Sequence, residues 1–286
     1  MLHASPAAAV ESMAPVLGAT LDRASVCCYF SNMLPKQPNQ SLIDGLTCLQ
    51  ALATAAPTGV RELARELGME PTRAHRLLKT LAHLGLAEQT GERKYRAGPG
   101  IHVLAATSLY ASGLMRRALE PLETLGRRGL IVALGVRWMD QVAYLYHAGP
   151  GMTTAEGIGR VGPFPASQSG LGLALLAGMD DQAVRELYHL RAVAGFKGVG
   201  VLMAELKTTR VRGYADVQRE DGDRTLAVGV AAQHGPPTVA VGLAGKIGAA
   251  KVKGLVAELR EAAGMIGGKN VAHEKVTQRK GVLDVR

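Results

Sequence analysis

No stretch of the chain is apolar over the roughly 18 residues that a membrane-spanning helix needs. The most apolar helical segment, Leu171 to Met179, is far shorter, so no membrane partner is expected. Cysteine is scarce. Cys27, Cys28 and Cys48 cannot make a disulfide framework, and an adjacent pair fits neither a zinc knuckle nor a C-x-x-C redox motif, so all three read as reduced thiols. Met1 to Leu21 lacks a basic n-region and a clean apolar h-region, so no secretory leader is expected and the cytoplasm is the expected location.

Catalytic signatures are missing too. Ser167 and Ser169 sit in no G-x-S-x-G elbow, the eight histidines include no H-E-x-x-H, and no Cys/His set has ligand spacing. His147, His189 and His234 read as surface or structural residues. The run Gly157 to Gly162 fits G-x-G-x-x-G, but Pro163 and Pro165 follow at once, and the strand-turn-helix context of a dinucleotide site is lacking. Neither enzymatic activity nor a metal or cofactor is expected.

What the chain does have is a globular composition, with 47% hydrophobic and 20% charged residues and a mean hydropathy of +0.09. Its 286 residues suffice for about two domains. Lys and Arg exceed Asp and Glu by 33 to 24, and the excess favours a polyanionic partner.

The first forty residues carry no helical or strand periodicity and read as a flexible arm over 1–40. From Ser41, placed as a helix cap, Leu42, Leu46, Leu49, Leu52 and Ala53 fall on one helical face, which is expected to be the buried one. A second helix follows over Val60 to Leu67, with Leu63, Ala64 and Leu67 inward and Gly68 at its end. A third opens at Pro71 or Thr72, buries Ala74, Leu77, Leu78 and Leu81, and stops before Gly85. Two helices joined so tightly make a helix-turn-helix. Leu86 to Gln89 and Lys94 to Ala97, joined through Thr90 to Arg93, read as a hairpin, hence a wing. The winged unit is expected over 41–98, a linker helix over 99–114 (Ile101 to Leu114 being its helical run), an α+β unit over 115–267, and a basic tail over 268–286.

The third helix carries Arg73, His75, Arg76, Lys79 and His83, with no acidic residue between Pro71 and Ala87. Such a face suits a polyanionic groove, where Lys and Arg release counterions and Arg can pair bidentately with guanine. Double-stranded DNA is the expected partner. Thr72, Arg73, His75 and Arg76 lie near the helix start, where base edges are met, with Lys79 and Arg61 beside them. Arg93, Lys94 and Arg96 on the wing are placed for phosphate contacts. The unit is not basic overall, holding eight basic against six acidic side chains, so its charge acts by placement.

Three pieces of the first unit, Gly59-Val60-Arg61-Glu62-Leu63-Ala64-Arg65-Glu66-Leu67-Gly68, Arg76-Leu77-Leu78-Lys79-Thr80-Leu81 and Tyr95-Arg96-Ala97-Gly98, are followed in order by Ser169-Gly170-Leu171-Gly172-Leu173-Ala174-Leu175-Leu176-Ala177, Gly213-Tyr214 with Arg219-Glu220, and Leu226-Ala227-Val228-Gly229-Val230. In this ordered set the chain resembles the IclR family of bacterial transcriptional regulators. The resemblance implies an α+β protein with an N-terminal winged helix-turn-helix joined by a linker helix to a GAF-like effector domain. It implies dimers or tetramers on near-palindromic operators and a small organic or aromatic acid as effector. Carried over, the effector pocket is expected around Gly162, Ala166, Ser167, Asp216, Thr225, Gly229, Gly242 and Ala244. Family members often have serine or cysteine at several final-strand positions where this chain has Gly229, Gly242 and Ala244. Backbone amides or a more apolar ligand would suit that lining, and so would glycines that merely permit close packing. A constitutive DNA binder, and a small-molecule binder whose winged helix makes protein contacts, stay open at this point.

Overall fold

The computed structural model describes residues 37–268 apart from 55, 160, 190, 191, 233 and 234. Most of the expected arm and tail, with Cys27, Cys28 and His234, therefore lies outside the described residues. The chain divides into two compact units between Ala105 and Ala106.

The first unit runs α1 (Gln40–Thr54), β1 (Thr58–Gly59), α2 (Val60–Glu66), α3 (Pro71–His83), β2 (Ala87–Gln89) and β3 (Lys94–Ala97). Asn39, not Ser41, caps α1: its Oδ1 accepts the Leu42 N–H at 3.1 Å. That is the reach of a cap side chain to the third helical N–H, two positions earlier than the sequence suggests. The expected inward face of α1 is also corrected. Leu42 and Leu46 are 60% and 46% exposed, while Ile43, Asp44, Thr47, Cys48, Ala51 and Leu52 are buried. The leucine stripe and the packed stripe lie about one residue apart, a rotation of ~100°. The buried stripe mixes the apolar Ile43, Cys48, Ala51 and Leu52 with the polar Asp44 and Thr47, and Arg73 of α3 pairs with the Asp44 carboxylate.

Leu63 and Leu67 interlock with Ala74 and Leu78 across the turn between α2 and α3, and Tyr95 of β3 closes the core. Gly68, at φ +57, supplies the left-handed step that lets α3 start three residues later, with Pro71 in its first turn. The wing gains a strand the sequence did not announce. β3 lies between β2 and the two-residue β1, with Thr58 opposite Tyr95. Two residues are too few for an alternation signal.

A helix over Gly100–Ser112 (α4) crosses the division between the units and buries no residue. The second unit continues with α5 (Leu114–Gly126), β4 (Ile131–Trp138), β5 (Gln141–Ala148), α6 (Thr154–Gly157), β6 (Phe164–Pro165), a 3-10 turn (Ala166–Gln168) and α7 (Gly170–Ala177). After these come α8 (Asp181–Leu187), α9 (Val199–Arg212), β7 (Ala215–Gln218), β8 (Arg224–Val230), β9 (Val239–Gly245) and α10 (Val252–Ile266). The strands form one antiparallel sheet in the order β6-β5-β4-β9-β8-β7.

The two faces of this sheet differ in side-chain size. Val132, Leu134, Leu226, Val228, Val241 and Leu243 point to one side and form a core with α5 and α10. Ala133, Gly135, Ala227, Gly229, Ala240 and Gly242 line the other, as the pairing of Ala133 with Gly242 and of Gly242 with Ala227 requires. α7, buried at every residue, lies on this short-chained face. A Cβ at Gly242 would stand 2.8 Å from Leu171 Cδ1, and one at Gly135 2.9 Å from Leu171 Cδ2.

Candidate nucleic-acid interface and effector site

The helix-turn-helix positions α3 by burying one stripe, so the opposite stripe is offered to solvent. Thr72, His75, Arg76 and Lys79 are exposed along it, and so is Arg61 on α2. No acidic side chain occupies the first turn of α3, and Glu70 at its N-cap makes no side-chain capping bond. The N–H groups of its first turn are therefore not capped by a side chain, and Glu70 is the one acid beside them in the sequence. Arg73 is used differently from its neighbours. Its Nε lies 2.6 Å from Asp44 Oδ2, and its side chain is 41% exposed against 6% for Asp44.

On the wing, two of the three expected phosphate contacts already have acidic partners. Lys94 Nζ is 3.2 Å from Glu92 and Arg96 Nη2 is 3.0 Å from Glu88. Arg93 is exposed at the tip and adopts a left-handed φ of +58, uncommon for a residue other than glycine.

The eight residues expected around the effector do not form one cluster. Asp216 stands opposite Leu226 and so points to the α10 side of the sheet, where Arg224 binds it through Nε at 2.7 Å and Nη2 at 2.6 Å. Thr225, Gly229, Gly242 and Ala244 point to the α7 side. The residue of β7 that faces Thr225 is Val217. Gly229 and Gly242 accommodate close packing: a Cβ would meet Pro237 Cγ at 3.0 Å in one case and Leu171 in the other. Ala166 and Ser167 are buried in the 3-10 turn, and the Ser167 hydroxyl donates to the Ala194 carbonyl at 2.7 Å. Gly162 has no neighbour within 4 Å of a would-be Cβ, and Thr225 packs its Cγ2 on Gly170. The G-x-G-x-x-G run begins at the end of α6 and is followed by β6, which is not a strand-turn-helix.

Other polar groups gather on the α7 face. A bulge opposite Leu134 and Gly135 adds one residue to β5 and brings Tyr144 and His147, three apart, to the same side. Their rings meet edge to face at 5.7 Å. The Tyr144 hydroxyl lies 2.8 Å from Ser169 Oγ, which also caps α7 by accepting the Gly172 N–H at 3.3 Å. Burial holds the Tyr144 phenol above its ordinary range, partly offset by the Ser169 hydrogen bond and the Arg219 charge. Two residues along β4 from the position opposite Tyr144, Arg137 donates from Nη1 to the Met139 carbonyl at 2.9 Å. Its Nε is buried with no hydrogen-bond partner among the described residues, and burial lowers its proton affinity. Sequence reasoning missed Tyr144, Ser169 and Arg137. An arginine at an inward position of the apolar strand Ile131 to Trp138 was a readable signal, whereas the bulge was not. These groups offer hydroxyl and guanidinium donors to a carboxylate or phenol, and none of them forms a nucleophile-base pair.

Residues 41–91 match the IclR helix-turn-helix domain. The regulator KdgR of Dickeya chrysanthemi is 28% identical over 216 residues, covering 71% of this chain and 70% of its own. The transcriptional repressor IclR of Escherichia coli is 27% identical over 226 residues, covering 73% and 80%. Among solved structures, an IclR-family regulator from Brucella abortus matches with a TM-score of 0.68 at 23% identity over 82% of this chain and 94% of that one. An IclR homologue from Microbacterium hydrocarbonoxydans, complexed with 4-hydroxybenzoate, matches with a TM-score of 0.60 at 21% identity over 80% and 98%. No described helix is long and apolar enough to cross a membrane.

Proposed function

The chain belongs to the IclR family of transcriptional regulators, and from that premise we propose that it binds a near-palindromic operator as a dimer or tetramer and responds to a small organic or aromatic acid. The carrying observation is the exposed, acid-free stripe of α3. Thr72, His75 and Arg76 read base edges in the major groove, and Lys79, Arg61 and the wing-tip Arg93 hold phosphates. Lys94 and Arg96 contribute less, because each would have to leave an acidic partner.

The effector binds on the α7 face of the second unit. Tyr144 and Ser169 hold its hydroxyl or carboxylate, the Arg137 guanidinium supplies the counter-charge, and Thr225, Ala244 and Ala166 with Ser167 shape the surroundings. Support comes from the hydroxybenzoate bound by the Microbacterium homologue, a phenol and a carboxylate in one molecule. An effector acts only through unequal affinity for two arrangements of the DNA-binding units.

The test is selection of sites from a random duplex library at physiological salt. Enrichment of a two-fold motif with half-sites one helical turn or a multiple apart is the expected result, and binding with no enrichment and no salt dependence overturns it. The packing role of Gly229 and Gly242 favours a second reading, a constitutive DNA binder with a vestigial pocket. The two part on a screen of aromatic and aliphatic acids by thermal shift, with Tyr144→Phe as control. A hit that this variant weakens supports the responsive regulator, and none across the panel supports the constitutive one.

A further inference from the structure

The Asp44 carboxylate is buried on α1, a helix with no expected part in recognition, and yet it meets a group on the recognition helix. Its Oδ1 accepts a hydrogen bond from Gln40 Nε2 at 2.7 Å, and its Oδ2 lies 2.6 Å from Arg73 Nε. The pair is half in and half out, with the carboxylate 6% and the arginine 41% exposed. A buried carboxylate without a cation is expensive, so Arg73 is held in place by the core rather than left to sample rotamers in solvent. A guanidinium has five N–H donors in a rigid plane; its Nε meets Asp44 as an ion pair, Oδ2 having no hydrogen-bond partner among the described residues, and the Nη1 and Nη2 edge is left for another partner. That free edge is the fork that can grip guanine O6 and N7.

We propose that Asp44 is a positioning residue for sequence readout: it orients Arg73 from behind, so that one arginine at the start of α3 presents a fixed fork to a guanine of the operator. The inference rests on the DNA-binding reading above. Arg73 is therefore not equivalent to Arg76 or Lys79, whose side chains are exposed. Asp44 adds negative charge close to DNA, so its contribution is to discrimination and not to bulk attraction.

The experiment compares wild type, Asp44→Asn, Arg73→Lys and the double variant on the selected operator, on the operator with one guanine replaced in each half-site, and on unrelated duplex, with melting temperature recorded for each. Asparagine keeps the Gln40 hydrogen bond and the shape of Asp44 while removing the charge that holds Arg73. The expected result for Asp44→Asn is a loss of about tenfold in discrimination at that base pair, with affinity for unrelated DNA equal to or above wild type. Arg73→Lys, which keeps the charge but not the fork, should lose the same discrimination, and the double variant should lose no more than either single one. Equal weakening on every duplex in step with a lower melting temperature would show a purely structural pair and overturn the proposal. So would unchanged discrimination in both single variants. If wild type itself shows no sequence preference, the regulator reading fails first and the proposal falls with it.

Discussion

At the scale of single residues, burial decides what each ionisable group is able to do. Arg76 is exposed and lies on the face of α3 opposite Ala74 and Leu78, so its whole side chain is available to DNA. Arg76→Ala should weaken operator binding by about 1–3 kcal/mol if it reads a base, and the loss should shrink on unrelated duplex, as measured by fluorescence anisotropy. Cys48 is the opposite case. Burial pushes its thiol from the usual 9.0 up to about 12, and the Asp44 charge beside it pushes in the same direction. The unfolded chain ionises this thiol near pH 9 and the folded chain does not. The stabilising contribution is thus complete below about pH 9 and is lost as pH rises towards about 12. Urea midpoints of wild type should therefore fall more steeply above about pH 9 than those of Cys48→Ala. A parallel fall would show that this thiol ionises in the folded state. The sequence marked Cys48 as a reduced thiol and Arg76 as a DNA contact from residue type alone. It was silent on Asp44, because an acid three residues into an amphipathic helix looks the same whether it meets water or the arginine of another helix.

At the scale of elements, legibility follows punctuation. α2 and α3 are bracketed by Gly59, Gly68, Pro71 and Gly85, and their extents and inward residues could be read off those breaks. α1 has no such constraint on rotation, and counting leucines chose a face that is in fact exposed at Leu42 and Leu46. Four of the second unit's six strands, β4, β5, β8 and β9, coincide with apolar runs that mark them in the sequence, whereas the short β6 and β7 do not. Which residue faces which side is not legible there, since register depends on partners far away in sequence. Hence Asp216, itself expected in the pocket, belongs to the other face with Arg224. The glycines follow the same logic. α7 fits on the sheet because Gly172 lets it cross the 3-10 turn, where a Cβ would overlap the Ala166 carbonyl. Gly172→Ala should destabilise the second unit by about 1–3 kcal/mol through overpacking, read by urea unfolding of the full chain. Gly162→Ala, open on all sides, should leave the unfolding midpoint unchanged and so controls for the loss of a glycine as such.

At the scale of the whole molecule, α4 poses a problem of cover. It buries none of its residues, although Val103, Leu104 and Tyr110 stand 63%, 59% and 81% exposed on a helix with no charged side chain. A helix apolar on this scale is stable in water only when another surface covers it. Two-fold symmetric association is the commonest way for one chain to supply that surface, and it places the same residue on both sides of the contact. Leu104→Glu would then set two carboxylates against each other near the symmetry axis, whereas Arg116→Gln, on the neighbouring helix, lowers the net charge by the same single unit and serves as a charge-matched control. Sedimentation equilibrium should show wild type and the control as oligomers and Leu104→Glu shifted towards monomer. DNA binding should change in a way no single-chain defect produces. Affinity for an isolated half-site should hold, because α3 and the wing are untouched. The gain from joining two half-sites should vanish, because that gain comes from the effective concentration of the second unit. Loss of half-site affinity as well would mean that α4 supports the fold of the DNA-binding unit itself. An unchanged oligomer would place the interface away from α4.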